Sequence, residues 1–221
     1  GLGKVVLKSG ERVEIGLVRA PDTEWAERIE ALLEHKGDPW NWQNREVLRS
    51  DVGISVTYAL LHRGGLPLAC VMTAVHVGVG FLGHVWTEPE DLRKGAASQA
   101  IACAMSHFEE AGGKALFLGT GFDSPAYHIY RTHGFEGIEP GSGTMAFYAS
   151  GREALEAAYF AKGQVEIEGL EWAHWPTSPA LFLGDSPGVI RCTPLRLFGR
   201  CSTEGPLLPF LREELRRSHT G

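Results

Sequence analysis

The chain predicts a mixed α/β fold: a mostly antiparallel sheet flanked by helices, followed by a C-terminal α/β extension. Three observations carry that reading. Lys4 to Ala20, Ile54 to His62 and Leu66 to His76 are apolar runs broken by Gly-containing turns, the pattern of antiparallel hairpins. Residues 81–135 hold two strand–loop–helix passages in succession. From Gly151 onward Pro and Gly punctuate shorter apolar pieces, so residues 1–150 read as one domain and 151–221 as an extension or small subdomain.

In chain order, Lys4 to Ala20 alternates around Ser9-Gly10, with Val5, Leu7, Val13, Ile15 and Leu17 as the apolar set, which predicts a strand pair or ribbon. Pro21-Asp22-Thr23 starts a helix that places Trp25, Ile29, Leu32 and Leu33 on one face and stops at Gly37. Asp38 to Gln43 reads as a polar, aromatic loop before a short helix around Arg45 to Arg49. Ile54 to His62 and Leu66 to His76 are strands joined by Arg63-Gly64-Gly65, a hairpin signal. Gly78-Val79-Gly80 then turns the chain into an apolar strand, Phe81 to Thr87.

A small-residue loop, Leu92-Arg93-Lys94-Gly95-Ala96-Ala97-Ser98, opens directly into a helix whose Ile101, Met105 and Phe108 face the sheet. Gly112-Gly113 ends it. Ala115 to Leu118 is a buried strand, and a second helix carries Ala126, Ile129 and Tyr130 before His133-Gly134-Phe135. Either Asp123 or Ser124 suits its N-cap. A turn at Gly141-Ser142-Gly143 precedes a last strand, Thr144 to Ala149. In the tail we expect a helix over Arg152 to Lys162, strand-like pieces at Val165–Ile167, Ala180–Leu183 and Val189–Leu197, and a final amphipathic helix capped by Ser202 or Thr203 and starting near Pro209.

Composition narrows the function classes. Hydrophobic residues make up 43% and charged residues 22%, as in an ordinary soluble globule. Net charge is −6 with no basic run longer than a dipeptide, which argues against nucleic acid as a general partner and suits a cationic amine substrate. No apolar run approaches a membrane span and the N-terminus lacks a signal-peptide pattern, so we expect a cytoplasmic protein with no membrane partner. Cys70, Cys103, Cys192 and Cys201 show no metal spacing and sit mostly among apolar residues, as reduced thiols do. His128 and His133 lie five apart, a poor metal pair, and we expect no metal.

A strand that ends in a Gly-containing turn aims backbone N–H groups at a helix N-terminus, where the dipole is positive; that suits a pyrophosphate. No Gly-Lys-Ser/Thr follows, so the loop is not of the Walker type. Leu92, Arg93, Lys94, Gly95, Ala96 and Ala97 match the [Gln/Arg]-x-x-Gly-x-[Gly/Ala] hallmark of the GNAT superfamily of acetyl-CoA-dependent N-acetyltransferases. A second signature of that family, Asn-x-x-Ala-x-x-[Leu/Ile]-Tyr-x-x-x-Gly-Phe, falls on Asp123, Ala126, Ile129, Tyr130, Gly134 and Phe135. The chain resembles that superfamily over residues 12–150. It departs at Leu92, where a side-chain phosphate contact is lost but backbone contacts remain, and at Asp123, which replaces Asn.

The resemblance implies the GNAT acyl-CoA N-acyltransferase fold and acetyl-CoA as acyl donor. It places the pyrophosphate on the N–H groups from Arg93 through Gly95, Ala96 and Ala97 to Ser98, with Arg93 and Lys94 adding charge. It lays the pantetheine arm along Val85, Trp86 and Thr87, where two parallel strands splay, with Asp123 and Ala126 near the cofactor. Tyr130 matches the family's tyrosine near the sulfur, where a phenol of pKa ~10 protonates the thiolate. In the family the region between the first two helices lines the acceptor pocket, so Trp40 and Trp42 are candidates to touch substrate; the plain alternative is that they anchor the loop to the core.

The amine must be neutral to attack, and His84, beside the predicted thioester position, is the first expectation for the base, with Glu88 and His76 as fallbacks. Strand alternation leaves open that His84 points into a helix-covered face instead. No cysteine sits in a nucleophile-like context, so direct transfer in a ternary complex is expected. The expected function is acetyl transfer to a small-molecule or peptidyl primary amine. The rival is a catalytically silent acyl-CoA-binding sensor or structural module of the same fold. The tail caps the acceptor side, completes a homodimer or forms its own subdomain, and the sequence leaves all three open.

Overall fold

The computed structural model describes residues 3–164, 166–184, 191–193, 196–198 and 200–218. The chain divides into two compact units, one of Gly1–Ala74 with Leu82–Gly112, the other of Val75–Phe81 with Gly113–Gly221.

The first unit begins with an antiparallel ribbon, β1 (Gly3–Val6) against β2 (Arg12–Arg19), in register Val6↔Arg12 to Gly3↔Ile15. β2 pairs antiparallel with β3 (Ser55–Arg63), Glu14 opposite His62 and Arg19 opposite Thr57. β3 turns into β4 (Leu66–His76) through Gly64 and Gly65, both at positive φ, the backbone a tight two-residue hairpin loop requires. Helix α1 (Thr23–Leu33) starts where Asp22 accepts hydrogen bonds from the N–H groups of Glu24 and Trp25 at 3.0 and 3.1 Å, and it buries Ala26, Ile29, Leu32 and Leu33.

Helix α2 (Trp40–Arg49) begins one turn earlier than expected. Pro39 can start a helix because its missing N–H would have no intrahelical partner there, and its carbonyl accepts from Gln43 N–H at 3.0 Å. Trp40, Trp42 and Gln43 therefore belong to a helix rather than a loop. Helix α3 (Ala96–Glu110) buries Ala100, Ile101, Ala104, Met105 and Phe108, and packs on β2 and β3. Its alanines carry little side-chain bulk, which allows that close approach.

The second unit is built on β6 (Ala115–Gly119). The start of β5 (Val79–Thr87) runs parallel to β6, and that ladder extends from Val79↔Ala115 to Phe81↔Phe117. On its other side β6 pairs antiparallel with β8 (Thr144–Tyr148), which also pairs with the two-residue β7 (Glu136–Gly137). The strand order is β1-β2-β3-β4-β5-β6-β8-β7, a mostly antiparallel mixed sheet. Helix α4 (Pro125–Thr132) follows β6, as the strand–loop–helix pattern predicts.

Residues after 151 contribute α5 (Arg152–Tyr159), α6 (His174–Leu183) and α7 (Leu208–Ser218). Ala180–Leu183, expected as strand, is the end of α6. That helix buries Trp175, Pro176, Pro179, Ala180, Phe182 and Leu183, and its last four residues are a short apolar run that periodicity alone does not separate from a strand. Glu166 and Ile167 form no strand, and Val165 lies outside the described residues. Of Val189–Leu197, only residues 191–193 and 196–197 are described, and Arg191–Cys192 pairs with Leu197–Phe198. Trp175 is fully buried against Phe81, ring centroids 5.6 Å apart, and its indole N–H donates to the Glu204 carbonyl at 2.7 Å. α7 starts at Leu208, beyond Ser202 and Thr203, and the Thr203 hydroxyl takes a hydrogen bond from Ser178 at 2.6 Å.

Candidate functional site

After Thr87 the chain makes a 3-10 turn over Pro89–Asp91 and reaches Leu92, whose side chain is exposed. Arg93 at φ 62 and Gly95 at φ 86 bracket Lys94 and swing the backbone into α3. Glycine takes this left-handed conformation freely, whereas at Arg93 it costs about 1–2 kcal/mol. Among the described residues no side chain caps the start of α3. Its first intrahelical bond runs from Gln99 N–H to the Gly95 carbonyl at 3.1 Å, so the ladder begins there and the earlier first-turn amides point out of it. Ala96 is buried and Ala97 and Ser98 half-buried, and all three carry small side chains of their own. Donor chemistry and helix dipole fit a diphosphate.

The loop is held by charge. Asp91, fully buried, accepts from Arg63 at 2.7 and 2.8 Å and from the Lys94 ammonium at 2.9 Å. The same guanidinium grips Glu11, in the β1–β2 turn, at 2.6 and 2.8 Å. Lys8 N–H donates to the Lys94 carbonyl at 2.9 Å, and the Lys8 chain lies beside Gly95. Arg63 lowers the Asp91 carboxyl to about 2, burial opposing and Lys94 assisting. Its own guanidinium is held further above its usual range by Glu11 and Asp91. Sequence reasoning missed this cluster, because Arg63 reads as hairpin-turn polarity and lies 28 residues from Asp91.

Along β5, alternation puts His84 and Trp86 on one side, and their contacts agree. His84 is buried, with Nε2 2.7 Å from Gln43 Oε1 of α2 and its ring edge-on to Trp40 at 5.4 Å. Burial, with Lys36 and His35 adding to it, lowers its pKa to about 3. An imidazole so deprived of water resists protonation, and the ring packs against α2, which makes His84 a weaker proton acceptor than the expectation required. Its φ of 48 marks an irregularity in the strand. Trp86 stacks on His35 with centroids 3.7 Å apart. Val85 is half-buried, and Thr87 is buried with a hydroxyl that has no hydrogen-bond partner among the described residues. Trp42 is buried, whereas Trp40 is half-buried.

Glu88 differs from His84. It lines a cleft of about 370 Å³ with Glu27, Arg28, Ala31 and Leu32 of α1 and Leu66 and Pro67 of β4. A second cleft of about 290 Å³ runs between Glu27 and Glu30 of α1, Glu34 just after it, and Asn41, Asn44 and Arg45 of α2. Glu30 there is occupied by Arg49, two contacts of 3.0 Å. The fallback His76 is half-buried at the end of β4.

In the second unit, Tyr130 is buried, 7% exposed, and edge-on to Phe135. Burial, with Glu204 adding to it, raises its phenol to about 12, so it stays protonated at neutral pH. Ser124 caps α4, its hydroxyl accepting from Tyr127 N–H at 3.1 Å. Asp123 does not cap: it is exposed at φ 58 and sits 2.9 Å from His128 Nε2. Ala126 is half-buried in the first turn.

No family model matches the chain, and no curated protein matches it. Solved structures do. The ribosomal-protein-S18-alanine N-acetyltransferase of Escherichia coli is 14% identical, over 69% of this chain and 99% of its own, at TM-score 0.49. The GNAT domain of S. lividans PAT is 15% identical, over 66% and 96%, at TM-score 0.48. PaiA N-acetyltransferase of Thermoplasma acidophilum, in complex with coenzyme A, is 11% identical, over 60% and 99%, at TM-score 0.46. The likeness is one of fold. The ordering of strands and helices described above, with its parallel β5–β6 pair, is the one the sequence resemblance implies.

Proposed function

We propose that the chain is a GNAT-type N-acyltransferase that moves an acetyl group from acetyl-CoA to a primary amine, small or peptidyl, by direct attack in a ternary complex. One observation carries the reading: the uncapped N-terminus of α3 behind left-handed Gly95 is an anion cradle at the position the family signature assigns to the diphosphate. Acetyl-CoA supplies the thioester when bound. The amides from Gly95 to Ser98 hold its diphosphate, and β5 from Val85 to Thr87 offers backbone to its arm.

Glu88 takes the role first expected of His84. It shares its cleft with Glu27 and Arg28, so the lining is net negative by one charge and favours an ammonium whose proton Glu88 accepts, while the apolar wall of Leu32, Leu66 and Pro67 receives the carbon chain. Tyr130, a phenol that is protonated at neutral pH, is the residue the family signature offers as proton donor to the departing sulfur. Burial pushes the Cys70 and Cys103 thiols up, away from nucleophilic thiolates, in keeping with direct transfer. Four free thiols fit a reducing cytoplasm.

The test is release of free CoA from acetyl-CoA with a panel of amines. Wild-type protein turns over with at least one amine, and Tyr130→Phe and Glu88→Gln each lower kcat by about 10²–10⁴-fold. If CoA raises the melting temperature but no amine gives turnover, the protein is the silent binding module instead.

A further inference from the structure

The loop before α3 carries two cations, Arg93 and Lys94, and the structure separates their work. Lys94 is spent inward, its ammonium 2.9 Å from a carboxylate that is fully buried and already holds Arg63. Arg93 is exposed. The clamp's four charges, Arg63 and Lys94 against Glu11 and Asp91, sum to zero. Swinging Lys94 out to a phosphate would strip a buried carboxylate of one of its two cationic partners, which is costly where water cannot replace it.

The clamp also has a mechanical logic. Arg63 stands at the end of β3, Glu11 in the turn between β1 and β2, and Asp91 in the turn that precedes the loop. One planar guanidinium, donating two parallel bonds to each carboxylate, fixes the loop to two separate parts of the sheet. The bond from Lys8 N–H to the Lys94 carbonyl ties the loop's backbone to the same β1–β2 turn. An anion cradle made of amides works only if those amides already point at the ligand, and α3 has no side-chain cap to set them.

We propose that Arg63, Glu11 and Asp91 form the positioning element of the coenzyme cradle, and that Lys94 belongs to this clamp and not to the phosphate contacts. Arg93 and Lys8, both exposed, are the cations beside the cradle that meet the phosphates. The inference rests on the coenzyme reading given above.

Calorimetric titration of CoA into the full chain tests it, using wild type, Asp91→Asn, Lys94→Gln, their double variant and Arg63→Lys, each at about 50 and about 500 mM NaCl. The clamp predicts that each single change weakens CoA at least tenfold, by a similar factor at both salts. The double variant is no weaker than the worse single, since either change opens the same network. If Asp91→Asn does not fold, Arg63→Lys replaces it in the cycle. A Lys94→Gln loss that shrinks at high salt and adds to the Asp91→Asn loss makes Lys94 a phosphate ligand and overturns the proposal. Unchanged CoA affinity in all variants overturns it alone, whereas a wild type that binds no CoA removes the coenzyme reading as well.

Discussion

Helices α3 and α4 each follow a strand through a short loop, yet their first turns are finished in opposite ways. At α4 the chain closes its own end: Ser124 accepts from Tyr127 N–H, and Pro125 at the first position removes a donor that would need a partner. The exposed Asp123 carboxylate before it adds negative charge. At α3 nothing in the loop's own side chains caps the helix; a glycine turns the backbone and an ion clamp anchored in the sheet holds the loop from outside. A helix that needed only stability would use the first arrangement. Stiffening the loop around an uncapped helix start makes sense where an anion is to be received, so under the proposed function α3 is the binding end and α4 the scaffold for Tyr130.

Breaking the open end is expected to have the larger effect. Gly95→Val puts a β-branched residue at φ 86, where Lys8 already stands 3.5 Å from the new Cβ. The turn then re-forms with different amide directions, and CoA affinity falls by about a hundredfold or more, on the scale of about 2–3 kcal/mol of backbone strain. The same titration at unchanged affinity would show that the cradle does not depend on this turn. Breaking the closed end is milder. Ser124→Ala removes one cap, lowers stability by about 1 kcal/mol in urea melts and leaves CoA affinity alone. A matching loss of CoA affinity would mean that α4's first turn also meets the coenzyme.

The sequence is most informative where local chemistry decides. Gly95, the alanines after it and the Ser124-Pro125 pair set their helix starts within a residue, and Gly64-Gly65 sets its hairpin. It is least informative where partners come from far along the chain. Arg63 and Asp91 carry no pattern that links them, and the facing of His84 is decided by Gln43 on a helix that itself starts a turn earlier than its prolyl neighbourhood suggests. Glu88 is legible only as a carboxylate at the end of a strand; its cleft is made by α1 and the start of β4, which the fold brings together. The helix α6 is hidden for a different reason, since Pro176 and Pro179 argue against a helix interior and its apolar end, Ala180–Leu183, is too short to show a period.

Amide hydrogen exchange with and without CoA measures the contrast between the two helix ends most directly. An open cradle at α3 predicts slowed exchange at the amides from Gly95 to Ser98 on adding CoA, with no change at the Ser124-capped amide of Tyr127. Protection confined to α4, or none at either end, would contradict it.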